Sequence, residues 1–122
     1  MSEISFKLGT NRGRVISNSG AFYPAGTSAI TGEKNTARAT VARTAVGKIT
    51  VTFNEGFGDF YGSNANLNMA TPDGSYAQID SYTANLNTKA VMVIGTYNAS
   101  NTAIDVAANA NNMVTWEIVV RK

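Results

Sequence analysis

Residues 47–62 read "GKITVTFNEGFGDFYG", and the fold class turns on them. From Lys48 to Phe53 polar and apolar residues alternate without a break. Successive side chains of an extended chain point to opposite faces, so this pattern predicts a strand with one face buried and one in water. Ile49, Val51 and Phe53 would face the core; Lys48, Thr50 and Thr52 would face out. Then the rhythm stops. Gly56, Phe57, Gly58, Phe60, Tyr61 and Gly62 follow as a corner of glycines and aromatics.

The same period of two recurs on both sides. "EISFKLG" alternates through Ile4, Phe6 and Leu8, and "RGRVIS" makes a short candidate after it. "ARATVAR" alternates through Ala37, Ala39 and Val41. "NANLNMA" sets Ala65, Leu67 and Met69 against Asn64, Asn66 and Asn68. "YAQIDSY" sets Ala77 and Ile79 against Gln78 and Asp80. "KAVMVIGTY" is apolar on both faces, as a central strand would be. "MVTWEIVVR" carries Val114, Trp116, Ile118 and Val120 on one face. Turn signals separate these runs: "NRG", "YPAG", "AVGK", "NEGFGD", "TPDGS", "NLNT" and "NASN". Pro24 and Pro72 both fall in turns. About eight short strands so spaced predict an all-β protein, an antiparallel jelly-roll-like sandwich forming one domain over residues 1–122. The expected core is Ile49, Val51, Phe53, Leu67, Met69, Ile79, Val91, Val93, Trp116 and Ile118. Residues 102–112, "TAIDVAANANN", fit either one helical turn begun by Thr102 and Asp105 or a polar loop across the top of the sandwich.

A chain of 122 residues with 43% hydrophobic content can bury a core without metals or disulfides. Its charged fraction is only 15%, against about 25% in an average protein. Neutral residues take the place of the missing charge: 14 Asn, 14 Thr and 17 Ala. Such a surface suits packing against other protein copies. The net charge is +2, and Arg12, Arg14, Arg38, Arg43, Arg121 and Lys122 are scattered. A nucleic-acid partner calls for clustered cations, so none is expected. The longest apolar run, Ala90 to Ile94, is far too short to span a membrane as a helix, and no membrane partner is expected. "MSEISFKLGT" has neither the basic start nor the apolar run of a secretory signal, so a protein made and kept in a cytoplasm, unless a larger assembly carries it out, is expected.

The chain contains no His and no Cys. Serine–histidine triads, His-ligated zinc and thiolate chemistry are therefore excluded. "GFGDFYG" lacks the Gly-Lys-Ser/Thr ending of a phosphate loop. Glu55 and Asp59 flank one corner without the ligand density of a calcium loop, and read as a solvated turn. Asp73-Gly74 is turn chemistry. Asn98-Ala99-Ser100 matches a glycosylation sequon but, without a secretory signal, is read as coincidence. No cofactor, no metal and no enzymatic activity are expected. Tyr61, Tyr76, Tyr82, Tyr97, Phe57 and Phe60 would serve either as a sugar platform or as core and subunit contacts.

"ARTAVGKITVTFNEGFGD", a strand pair of the form Arg-Thr-x-x-Gly-x-x-Thr-Val-x-Phe before a loop, resembles the trimeric jelly-roll sandwiches of bacteriophage virion proteins. These are similar in architecture to C1q-like and tumour-necrosis-factor-like trimers. The closing "NNMVTWEIVVRK" fits the same pattern. The Tyr usual before Thr-Val in such strands is Ile49 here. The resemblance covers residues 37–60 and 113–122, and extends elsewhere only as strand rhythm. It implies a structural role: a head decoration (cement) protein on the virion's capsid surface, acting as a homotrimer bound to the major capsid protein. The alternative it implies is a tail or head fibre-tip adhesin that binds a host surface glycan. The chain opens on Met1 without a stalk, coiled-coil or collagen-like segment, which sets the expectation of decoration.

Two segments are candidate partner contacts. Residues 1–13 form a candidate N-terminal arm that would add a strand to a capsid protein's sheet, with Ile4, Phe6 and Leu8 as anchors and Arg12 and Arg14 meeting acidic groups. The competing reading makes residues 3–8 the first strand of the domain's own sheet. The second segment is the corner, through Phe57, Phe60 and Tyr61.

Overall fold

The computed structural model describes residues 15–30 and 39–121, and the backbone of residues 3–4. The strands are β1 (Glu3–Ile4), β2 (Val15–Phe22), β3 (Ala39–Ala45), β4 (Lys48–Phe53), β5 (Phe60–Asn68), β6 (Tyr76–Thr83), β7 (Val91–Tyr97) and β8 (Met113–Arg121). They form two antiparallel sheets. One, sheet A, runs β1-β2-β8-β5; the other, sheet B, runs β3-β4-β7-β6. The protein is an all-β sandwich. No helix occurs among the described residues, and 98–112 is a polar loop.

Partners distant in sequence nest within one another: β2 with β8, β4 with β7. The connections β4–β5, β5–β6 and β7–β8 pass from one sheet to the other. Inward residues of both sheets meet in one core. Phe22, Val51, Phe53, Phe57, Met92, Ile94, Val114, Ile118 and Val120 are its largest fully buried side chains. Phe53 meets Phe57 and Trp116 edge-on, with centroids at 5.6 Å and 5.5 Å. This geometry sets a ring's positive edge against another's negative face. Phe60 of β5 stacks on Tyr82 of β6 at 4.5 Å and joins the sheets along that side.

The strand rhythm places most of the core, with one exchange. In β7 the buried residues are Met92 and Ile94, while the expected Val91 and Val93 are half-buried on the outer face. The register decides this, because Met92 pairs with inward Val51 and Val93 with outward Thr50. Leu67, Met69 and Ile79 are half-buried, not enclosed. β2 runs on to Phe22 through Gly20, where any Cβ would collide with the Trp116 indole at 2.5 Å. Gly47 closes the β3–β4 hairpin at φ 64, with the Thr96 carbonyl 2.7 Å from where a Cβ would stand.

Glu3 and Ile4 pair with Ile16 and Val15 of the chain's own sheet. For these two residues the own-strand reading replaces the free arm. Phe6, Leu8, Arg12 and Arg14 lie outside the described residues.

Candidate interaction faces

The glycine and aromatic corner does not form one surface. Phe57 is fully buried, bridges to Asn85 and packs on Phe53, so it cannot offer its ring to a partner. Gly56 sits against the Asn85 and Thr88 carbonyls, which leaves no room for a side chain. Phe60 is half-buried on Tyr82. Tyr61 alone of the three is exposed, at 51%. The tyrosines are dispersed as well: Tyr82 stands with Phe60 between the sheets, and Tyr76 stacks on Tyr97 at 5.4 Å at the other end of β6. No shared aromatic platform results. Asp59 of the same corner pairs with Arg121 at 2.5 Å.

The outer face of sheet B follows from strand alternation and register. One row across it is Thr40, Thr52, Val91 and Thr83; the next is Ala42, Thr50, Val93 and Ser81. None of these residues carries charge. Four strands at the usual spacing make this face about 14 Å wide. Beside it lies a polar bar built from three strands. Lys48 Nζ reaches Asp80 Oδ2 at 2.6 Å and the Tyr97 hydroxyl at 2.6 Å, and Gln78 Nε2 donates to Asp80 Oδ1 at 3.0 Å. A bulge between Ile79 and Ser81 turns Asp80 outward into this bar. Gly95 makes it fit, since a Cβ there would strike the Asp80 carboxylate and the Tyr97 ring. Burial pushes the Asp80 carboxyl up, but hydrogen bonds from Lys48, Gln78 and Tyr97 outweigh it and hold the group below its ordinary value. The bonds Lys48 donates to Asp80 and then to Tyr97 hold its ammonium above its ordinary value.

At one end of the sandwich, Arg43 clasps Asp105 through Nε at 2.9 Å and Nη2 at 2.8 Å. Gly47 N–H adds a third bond to Asp105 at 3.0 Å. The Arg43 hydrogen bonds, then that of Gly47, hold the Asp105 carboxyl below its ordinary value. This clasp ties loop 98–112 to the β3–β4 hairpin, with the Thr96 hydroxyl donating to the Ile104 carbonyl at 2.7 Å. Asn98 of the sequon is a turn residue whose Oδ1 accepts from Ser100 N–H and Thr102 N–H.

The outer face of sheet A is different. It holds an open groove of about 550 Å³ lined by Ser19 and Ala21 of β2, Thr115 and Glu117 of β8, and Asn64 and Asn66 of β5. The backbone of Gly20 and Trp116 forms part of its wall. A bulge between Phe60 and Gly62 places Tyr61 and Gly62 opposite Val119, one same-face step along the strands from Glu117. The sequence reading did not find this groove. Its signal was the Asn64, Asn66, Asn68 alternation, which served only to mark a strand.

Among the described residues no group of three carboxylates gathers to hold a metal ion, and no helix is long and apolar enough to cross a membrane. Comparison with family models, with curated proteins and with solved structures yields no match to this chain.

Proposed function

We propose that the chain is a non-enzymatic bacteriophage structural protein, a head decoration protein that seats on the outer capsid surface and stabilises the shell. The observation that carries this reading is the outer face of sheet B. Its two central rows are uncharged and β-branched or small, with the charged pair Lys48–Asp80 at the margin. An interface core is depleted of charge and its rim is polar. The nested strand pairing supports the jelly-roll form of the sandwich, and with it the resemblance of residues 37–60 and 113–122 to trimeric phage sandwiches.

On this reading the protein is a homotrimer, its partner is the major capsid protein, and it resides on the virion. A cyclic trimer repeats one pair of complementary patches by rotation, so a low-charge surface serves it well. The test begins with the neighbouring reading frames. A major capsid gene beside this one fits decoration; a tail gene in its place refutes it. The purified protein should then sediment at three times the 12.9 kDa chain mass and co-sediment with heads assembled from that capsid protein. Val93→Lys should abolish head binding while the sandwich still folds. Undiminished binding by this variant would remove the sheet B face from the proposal.

A further inference from the structure

We infer that the groove on the outer face of sheet A is a binding site for a neutral oligosaccharide, with Tyr61 as its stacking wall. The inference does not rest on the virion reading.

It starts from a feature that core packing does not require, the row of asparagines on β5. Asn is among the residues strands disfavour, yet Asn64, Asn66 and Asn68 occupy one face in the middle and end of the nine-residue β5. Gly in a strand marks a bulge, a bend or a close approach. Gly62 sits at the bulge of β5, and nothing lies within 4 Å of where its Cβ would stand. By contrast Gly20 and Gly95 are each required by a ring packed against them. Where local sequence defies the local fold without a packing reason, function is the expected cause. Asn64 and Asn66 line this groove, and Gly62 lies opposite Val119, one same-face step beyond Glu117.

The lining then names the ligand class. Each Asn presents an acceptor oxygen and a two-proton donor side by side. Asn66 Nδ2 donates to Asn64 Oδ1 at 3.2 Å, which orients the two amides as a pair. Thr115 adds a hydroxyl, and Glu117 adds an acceptor-only carboxylate. A polyol, whose hydroxyls each donate and accept, is the partner that matches such a mixed set. Among the described residues that line it there is no cation for a phosphate, and Glu117 repels sulfated or sialylated sugars. The volume, about 550 Å³, falls within the range of small-molecule sites. Tyr61, half exposed, supplies the flat apolar ring against which a sugar's C–H face packs. Nothing lies within 4 Å of where a Gly62 Cβ would stand, so the strand is open beside Tyr61.

The test is a printed array of neutral, sialylated and sulfated glycans probed with the full chain. It is followed by nuclear magnetic resonance titration of any neutral glycan retained. The expected result is retention of neutral glycans, about tenfold weaker with Tyr61→Ala. Gly62→Leu, which adds bulk beside Tyr61 where nothing lies within 4 Å of the new Cβ, should also weaken it. Glu117→Gln should admit anionic glycans that the wild type rejects. A silent array, retention of anionic glycans alone, or retention unchanged by Tyr61→Ala and Gly62→Leu would each overturn the inference. So would a change of sedimenting mass in either variant, since that would make the groove a contact between copies of the chain.

Discussion

Phe57→Ala separates the two roles that the corner could have. Phe57 is fully buried, meets Phe53 edge-on at 5.6 Å, and its carbonyl accepts the Asn85 N–H at 3.0 Å. Truncating such a ring removes its transfer energy and leaves a cavity, at a cost of about 3–5 kcal/mol. Domains of this size are stable by about 5–15 kcal/mol, so the loss is a large fraction of the whole. The assay is urea unfolding followed through the fluorescence of Trp116, the protein's single tryptophan, which is 3% exposed and packs on Phe53. With a urea slope of about 2 kcal/mol/M, the midpoint should fall by about 2 M. Phe57→Leu, which keeps most of the volume, should cost under about 1.5 kcal/mol. Tyr61→Ala, at an exposed position, should stay within about 0.5 kcal/mol of wild type. Protomer concentration must be held fixed, because any oligomer couples stability to concentration. A midpoint shift below about 0.5 M for Phe57→Ala, at unchanged slope, would refute the core assignment.

Two glycines with similar backbone angles but different surroundings give a second test. Gly26→Ala, at φ 60 with nothing within 4 Å, should lose about 1–2 kcal/mol from left-handed strain alone. Gly47→Ala, at φ 64 against the Thr96 carbonyl, should lose clearly more; equal losses in thermal unfolding would contradict the packing around Gly47. Acid should expose the two clasped carboxylates. Asp80 and Asp105 both have folded pKa values below their ordinary ones. Their contribution is therefore complete above the unfolded value of about 4 and is lost as pH falls through the folded values. Urea midpoints should hold from pH 7 to 5 and fall below about pH 4, with a shallower fall in Asp105→Asn; an identical fall would remove Asp105 from the account. Gly95→Ala should disrupt the Lys48–Asp80–Tyr97 bar, seen as a changed Tyr97 environment in nuclear magnetic resonance spectra, and an unchanged spectrum would argue against the close fit there.

Strand positions were legible because period two is a one-dimensional signal. It failed where both faces of a strand are apolar. In β7, alternation could not choose between Val91–Val93 and Met92–Ile94, and only pairing with β4 decides. It also failed where polar residues face inward or glycine interrupts. Asn18 is buried in β2, and Gly20 there exists to admit Trp116, so the run after Ser17 did not read as strand. The corner misled for the opposite reason. Aromatic and glycine residues resemble a surface loop, but Phe57 is core and Phe60 begins β5. Arg43 and Asp105 stand 62 residues apart, and no local pattern announces such a pair. Thr102 and Asp105 suggested a helix start; in the fold Asp105 instead accepts from Arg43 and Gly47.

The candidate faces were least legible because folding does not write them. Inward positions on both sheets obey one demand, the filling of a shared core. Outward positions escape it, and there the two sheets diverge. Sheet B shows Thr, Val, Ala and Ser in uncharged rows; sheet A shows Asn, Ser, Thr and Glu around a groove and an exposed Tyr61 on β5. Opposite faces of a sandwich cannot meet the same partner surface at once. A protein seated on a shell through sheet B would therefore hold the sheet A groove toward solvent, where a glycan could reach it. This arrangement makes a separable forecast. Val93→Lys should end head binding and leave glycan retention intact, while Tyr61→Ala should do the reverse. If either variant removed both activities with the fold preserved, the two faces would not be independent, and one surface would have to carry whatever the protein binds.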